Sequence, residues 1–185
     1  MALTRINNQA LTNVTSAGLP TLDSDKLPSG TVLQTKSVSS TSPFTSTSTN
    51  WTTVANLSVS ITPKSANSKI LIMYAVSGNA NTRYWSLTAF RGTTAINRGG
   101  ASASRERIST PTGANHDETN QVHIQRSVSD VFLDSPSTTS EITYSVRGRI
   151  HYGSGTMYVN RDQNDDNYSY AKRSSSNIIV MEIAG

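Results

Sequence analysis

Trp51-Thr52-Thr53-Val54-Ala55-Asn56-Leu57-Ser58-Val59-Ser60-Ile61 is the stretch on which the fold class turns. Trp51, Thr53, Ala55, Leu57, Val59 and Ile61 alternate with Thr52, Asn56, Ser58 and Ser60, and Val54 alone breaks the period. A period of two puts one set of side chains on a buried face and the other in water, which is the pattern of a half-buried strand. Pro63 and the Ser65–Ser68 cluster then turn the chain, and Ile70-Leu71-Ile72-Met73-Tyr74-Ala75-Val76 follows as an unbroken apolar run.

Moving outward, Thr31–Val38 reads as an earlier strand, followed by a low-complexity stretch, Ser39–Asn50, around Pro43-Phe44. Further strands are expected at Tyr84–Arg91, Gln121–Leu133, Ile142–Ile150, Thr156–Asn160 and Asn177–Ile183. Two long loops separate them, Gly99–Asn120 and Arg161–Ser176. Short strands divided by turn signals predict an all-β protein, an antiparallel β-sandwich of jelly-roll type.

Composition agrees. Ser and Thr supply 53 of the 185 residues and Glu only four, so a helical bundle built on Ala, Leu, Glu and Lys is excluded. A net charge of +4 is too small for a charge-driven disordered chain. The absence of cysteine removes disulfides, thiolate zinc sites and thiol nucleophiles together. No run approaches 18 apolar residues, so no membrane insertion is expected, and Met1-Ala2-Leu3-Thr4-Arg5 lacks the apolar stretch of a signal peptide. The four Asn-x-Ser/Thr sequons, at Asn13, Asn50, Asn56 and Asn167, then read as products of composition.

Residues 1–30 differ from the rest. Leu3, Ile6, Ala10, Leu11 and Val14 recur at helix-like spacing among poor helix formers, and Ala17-Gly18-Leu19-Pro20 and Lys26-Leu27-Pro28-Ser29-Gly30 punctuate the segment. It holds too few apolar groups to fold alone and too many for a solvated linker, so it is expected to be an arm that orders against a partner. Two domains follow: an anchoring arm, 1–30, and a sandwich, 31–185.

The apolar runs bear on assembly. In an antiparallel sandwich one strand face meets the core and the other meets water. Ile70–Val76 and Ile178-Ile179-Val180-Met181 are apolar on both faces. Their outer positions, Leu71, Met73, Ile179, Met181 and Ile183, are therefore expected to be covered by a neighbouring copy or by the domain's own loops.

Chemistry is sparse. No Gly-x-Ser-x-Gly elbow or phosphate loop occurs, and His116, His123 and His151 lack metal-ligand spacing. His116-Asp117-Glu118 reads as a solvated turn. Asp162, Asn164 and Asp166 match the first oxygen positions of a calcium loop, but Asn167 replaces its Gly and Arg173 its Glu, so a hairpin tip is the expected reading. No catalytic residue, metal or cofactor is assigned. Tyr84, Trp85, Tyr152, Tyr158, Tyr168 and Tyr170 could stack on sugar rings, but cross-strand packing is their commoner use in β proteins. Arg83, Arg91, Arg98, Arg105 and Arg107 are the nearest thing to a basic patch, a candidate contact for an anionic ligand; they lack the concentrated stripe with interleaved aromatics of a nucleic-acid binder.

Several strings together resemble a known group. They are Leu57-Ser58-Val59-Ser60-Ile61-Thr62-Pro63 before Ser68-Lys69-Ile70-Leu71-Ile72, then Phe132-Leu133-Asp134-Ser135-Pro136 with Thr138-Thr139-Ser140. Gly155-Thr156-Met157-Tyr158-Val159-Asn160-Arg161 and the terminal Val180-Met181-Glu182-Ile183-Ala184-Gly185 complete the set. In this order they resemble small virion structural proteins (tail-fibre or head-fibre-like) of marine and cyanobacterial tailed bacteriophages. The opening Ala2–Leu11, ending at Gly18-Leu19-Pro20, is similar to the leader of that group.

The resemblance implies a non-enzymatic, homotrimeric β-sandwich appendage. It would be assembled in the host cytoplasm and docked on another virion protein (capsid, neck or tail subunit). On this reading Leu3, Arg5, Ile6, Leu11 and Val14 carry the anchoring, and far loops meet host-surface glycan or protein. A capsid decoration (cement) protein is the alternative, and a carbohydrate-binding module or glycan hydrolase the less favoured one.

Overall fold

The computed structural model describes residues 27–81, 85–110, 123–151 and 154–185. Among these described residues ten strands follow in chain order: β1 (Val32–Ser40), β2 (Phe44–Ser46), β3 (Thr52–Ile61), β4 (Lys69–Ala80), β5 (Trp85–Arg91), β6 (Thr94–Ala95), β7 (Arg126–Asp134), β8 (Ile142–Ile150), β9 (Met157–Val159) and β10 (Ser176–Ile183). The alternating stretch is β3, and the unbroken apolar run opens β4. Two strands escaped the sequence reading, β2 and β6, because three and two residues are too short to show a period.

Every named pair is antiparallel, and the pairs nest. β1 pairs β10, β3 pairs β8, β4 pairs β7, and β5 pairs β6. Nested pairing means that one long antiparallel ribbon has been wrapped into two layers, which is jelly-roll topology. The contacts β10–β4 and β8–β5 then knit the turns into a first sheet, β1–β10–β4–β7, and a second, β3–β8–β5–β6. Short β9 continues the line of β10 along β4, since Gly78 pairs Arg126 on one edge and Val159 on the other. The fold class expected from the sequence is the fold observed.

The core lies between the sheets. Ile70, Ile72, Tyr74 and Val76 of β4 with Ile178 and Val180 of β10 face Val54, Leu57 and Val59 of β3, Leu87 of β5 and Val146 and Ile150 of β8. Gly148 of β8 leaves the gap that Met157 and Val54 fill, because a Cβ there would stand 2.9 Å from each. Val54 interrupts the alternation of β3 for a physical reason. The β3–β8 register shifts between Thr53 and Ser58, and Ala55 and Asn56 take positive φ, so a bulge carries Val54, Ala55 and Leu57 all into the interior.

The sandwich has two distinct ends. At one, β3 turns into β4 through residues 62–68, β7 into β8 through 135–141, and the chain enters and leaves. There Gly30 N–H donates to the Ala184 carbonyl (2.9 Å), and Leu27 sits beside Asn67, Thr139 and Gly185. At the other end are residues 41–51 and the β9–β10 connection. Leu3, Arg5, Ile6, Leu11 and Val14 lie outside the described residues.

Candidate functional site

The outer face of the first sheet follows from period two and register. Leu71 stands between Met181 on β10 and Leu133 on β7, and Met73 between Ile179 and Val131. Ile183, opposite Val32, continues the band toward the end where the chain enters. Leu71, Met73, Ile179, Met181 and Ile183 are all half-buried. Val131 is 62% exposed and Leu133 57%, with Val32 at 51%. Thr35 and Ser37 on β1 and Ser127 and Ser129 on β7 form a rim of short polar groups. All five positions assigned to a covered face thus share one surface, and Val32, Val131 and Leu133 extend it. Sequence reasoning missed these three because Val32-Leu33 and Val131-Phe132-Leu133 are runs of only two and three apolar residues, too short to mark a face. A contiguous apolar patch with a polar rim is the usual form of an interaction surface.

The outer face of the second sheet is built differently. β5 is buried on both sides at six of its seven residues, although Ser86 and Thr88 point outward. Residues 96–110 cover it. Ser109 Oγ accepts from the Ala89 N–H (3.1 Å) and donates to the Ile96 carbonyl (2.9 Å), and Ser86 Oγ donates to Glu106 (2.6 Å). Arg149 pairs with the same Glu106 (2.5 Å) and lies over the Trp51 ring, while Arg147 lies over Phe90. Beside this edge Tyr74 and Thr110 share a hydroxyl hydrogen bond, and burial raises the Tyr74 pKa to about 12.

The third feature is the β9–β10 connection. Asp162 is fully buried, and its carboxylate accepts from the backbone N–H groups of Asp165 (2.7 Å) and Lys172 (3.3 Å) and bonds His123 Nδ1 (2.9 Å). Burial acts to raise its pKa, but the bond to His123 and the two N–H groups outweigh it and hold the carboxyl below its usual value. Asp165 lies between Arg173 (2.7 Å) and Arg161 (3.6 Å). Donors therefore occupy Asp162, the first of the positions that matched a calcium loop, and among the described residues no His/Asp/Glu group is disposed to hold a metal. Above this base Tyr168 and Tyr170 stack on one another, centroids 5.0 Å apart and planes 13° from parallel.

The basic patch divides. Arg91 is half-buried and pairs with Asp134 (3.0 Å), which also accepts from the Tyr144 hydroxyl (2.7 Å). Burial first, then the Asp134 carboxylate, raises the Tyr144 pKa far above the phenol range. Arg98, Arg105 and Arg107 are exposed in the covering loop, with Arg107 Nε on the Gly99 carbonyl (2.6 Å) and Arg105 reaching Ser102 (3.3 Å). Arg83, Tyr84 and Tyr152 lie outside the described residues, as does His116-Asp117-Glu118. Of the remaining aromatics, Trp85 is in the core, and Tyr158 is half-buried with Arg161 over its ring. Comparison of the chain with protein-family models and with curated proteins finds no match.

Proposed function

We propose that the chain is a non-enzymatic virion structural protein of a tailed phage. Three copies meet on the outer face of the first sheet, and residues 1–30 dock the assembly on another virion protein. The observation that carries this reading is the apolar band of Leu71, Met73, Ile179 and Met181, continued onto Val131 and Leu133. A sheet face of this kind left in water favours association, and identical copies offer the simplest closed way to cover it. The resemblance supplies the number three; the band supplies the contact.

The two ends of the sandwich fit the same reading. Leu27 to Gly30 enter at one end, while the β9–β10 connection stands at the other. An arm fixed to a particle at the first end would leave the second facing outward, and three copies would multiply weak contacts made there. Deleting residues 2–20 tests the arm. The truncated chain is expected to remain a folded trimer by light scattering and to be missing from purified particles. Incorporation at the normal level would reject the docking role.

A further inference from the structure

Apart from the apolar band, the large apolar side chains left exposed among the described residues are Ile124, Tyr168 and Tyr170. Tyr168 is 59% exposed and Tyr170 53%, and neither enters the core cluster. Their setting is unusually well braced for a surface loop. His123 meets Tyr170 edge-on at 4.8 Å and is itself held by buried Asp162 (2.9 Å). Arg161 donates to the carbonyls of Asp162 and Gln163 (both 2.9 Å), Gln125 to that of Lys172 (2.6 Å), and Ala171 N–H to that of Tyr168 (3.1 Å). The loop's polar groups fix its backbone, and its two rings are left out in water.

From this arrangement we infer that Tyr168 and Tyr170 form a saccharide-binding platform for an uncharged pyranose. The ligand class follows from the chemistry around the rings. A pyranose presents a flat C–H face that stacks on an aromatic ring, and a rigid, pre-placed ring loses little freedom on binding. Its hydroxyls need acceptors, and the partly exposed Asp166 carboxylate stands 3.9 Å from Nε2 of His123, the ring that meets Tyr170. An anionic ligand fits less well. Arg161 and Arg173 of the same connection are engaged with Asp165, and Asp166 would repel a phosphate or uronate. The site rests on the proposed function only for its outward orientation, since the platform belongs to a single copy.

The test is saturation-transfer NMR on the full chain with methyl α-glucoside, methyl β-galactoside and methyl α-mannoside, alongside light scattering of the same sample. At least one sugar is expected to take up saturation, with a dissociation constant on the order of millimolar. Tyr168→Ala is expected to weaken binding about tenfold while Tyr168→Phe retains it, as loss of one stacking face requires. Asp166→Asn is expected to weaken it about fivefold, with no change in the unfolding midpoint of any variant. Absence of transfer from all three sugars, or Tyr168→Ala binding like the parent, would overturn the platform. A monomer that binds sugar would instead reject the trimer and leave the platform standing.

Discussion

The two sheets of the sandwich turn different kinds of surface outward. On the first, Leu71, Met73, Val131, Leu133, Ile179 and Met181 are large and apolar, and no described segment of the chain covers them. On the second, Ser86 and Thr88 are small and polar yet buried, because residues 96–110 fold across them and are held by Glu106 and Ser109. Burial therefore does not track side-chain character on the outer faces. It tracks which face the chain's own loop reaches. The Ser86 hydroxyl of β5 bonds a loop that arrives in the same molecule, whereas the apolar band of β4 and β10 still has a surface to lose.

The largest effect expected on this contrast is at the band. Replacing Met73 and Ile179 together with Glu puts two charges side by side on adjacent strands of a face that would be desolvated by association. From the proposed trimer, the mass in light scattering should fall threefold, to that of one chain, with the circular dichroism of a β protein retained. A variant that keeps a trimeric parent mass would show that the copies meet elsewhere, and a parent of single-chain mass would reject the trimer.

A smaller effect is expected on the covered face. Glu106→Ala removes the acceptor shared by Ser86 and Arg149 and leaves both groups under the loop without it. Glu106 and Arg149 keep 18% and 27% side-chain exposure, so solvent screening reduces the loss to about 2 kcal/mol, read from urea unfolding. A loss below about 0.5 kcal/mol would mean that the loop is held by its other contacts.

The smallest effect sharpens the comparison most. In the monomeric Met73→Glu, Ile179→Glu background, Leu133→Ser should change unfolding free energy by less than about 0.5 kcal/mol, because the side chain is already 57% exposed. A large apolar residue on the first sheet would then matter less to the single chain than one polar residue clasping the second. Destabilisation of 1 kcal/mol or more would place Leu133 in the monomer's own packing.

Several readings in the sequence carried through because they rest on local periodicity. The alternation from Trp51 to Ile61 marks β3, and the run Ile70–Val76 marks β4 with its apolar outer positions. Even Val54, the exception to the period, was visible as an exception, although only the shifted register identified it as a bulge. The site was less legible. Arg91 stood out among spaced arginines, but its partner Asp134 lies 43 residues away and is brought to it by the fold. Asp162 read as part of a hairpin tip, but its partner His123 lies 39 residues earlier and was not visible as such in the sequence.

What the sequence determined by itself is the all-β class, the positions of the longer strands and the surplus apolar character of two strands, since a period of two and a run of branched side chains are properties of neighbouring residues. The nested pairing was decided by the tertiary structure, as were the gathering of Leu71, Leu133 and Met181 into one band, the burial of Ser86 and Thr88, and the bracing of Tyr168 and Tyr170. Each of these depends on segments distant in the chain meeting in one register, and register is set by how the whole hydrophobic face packs.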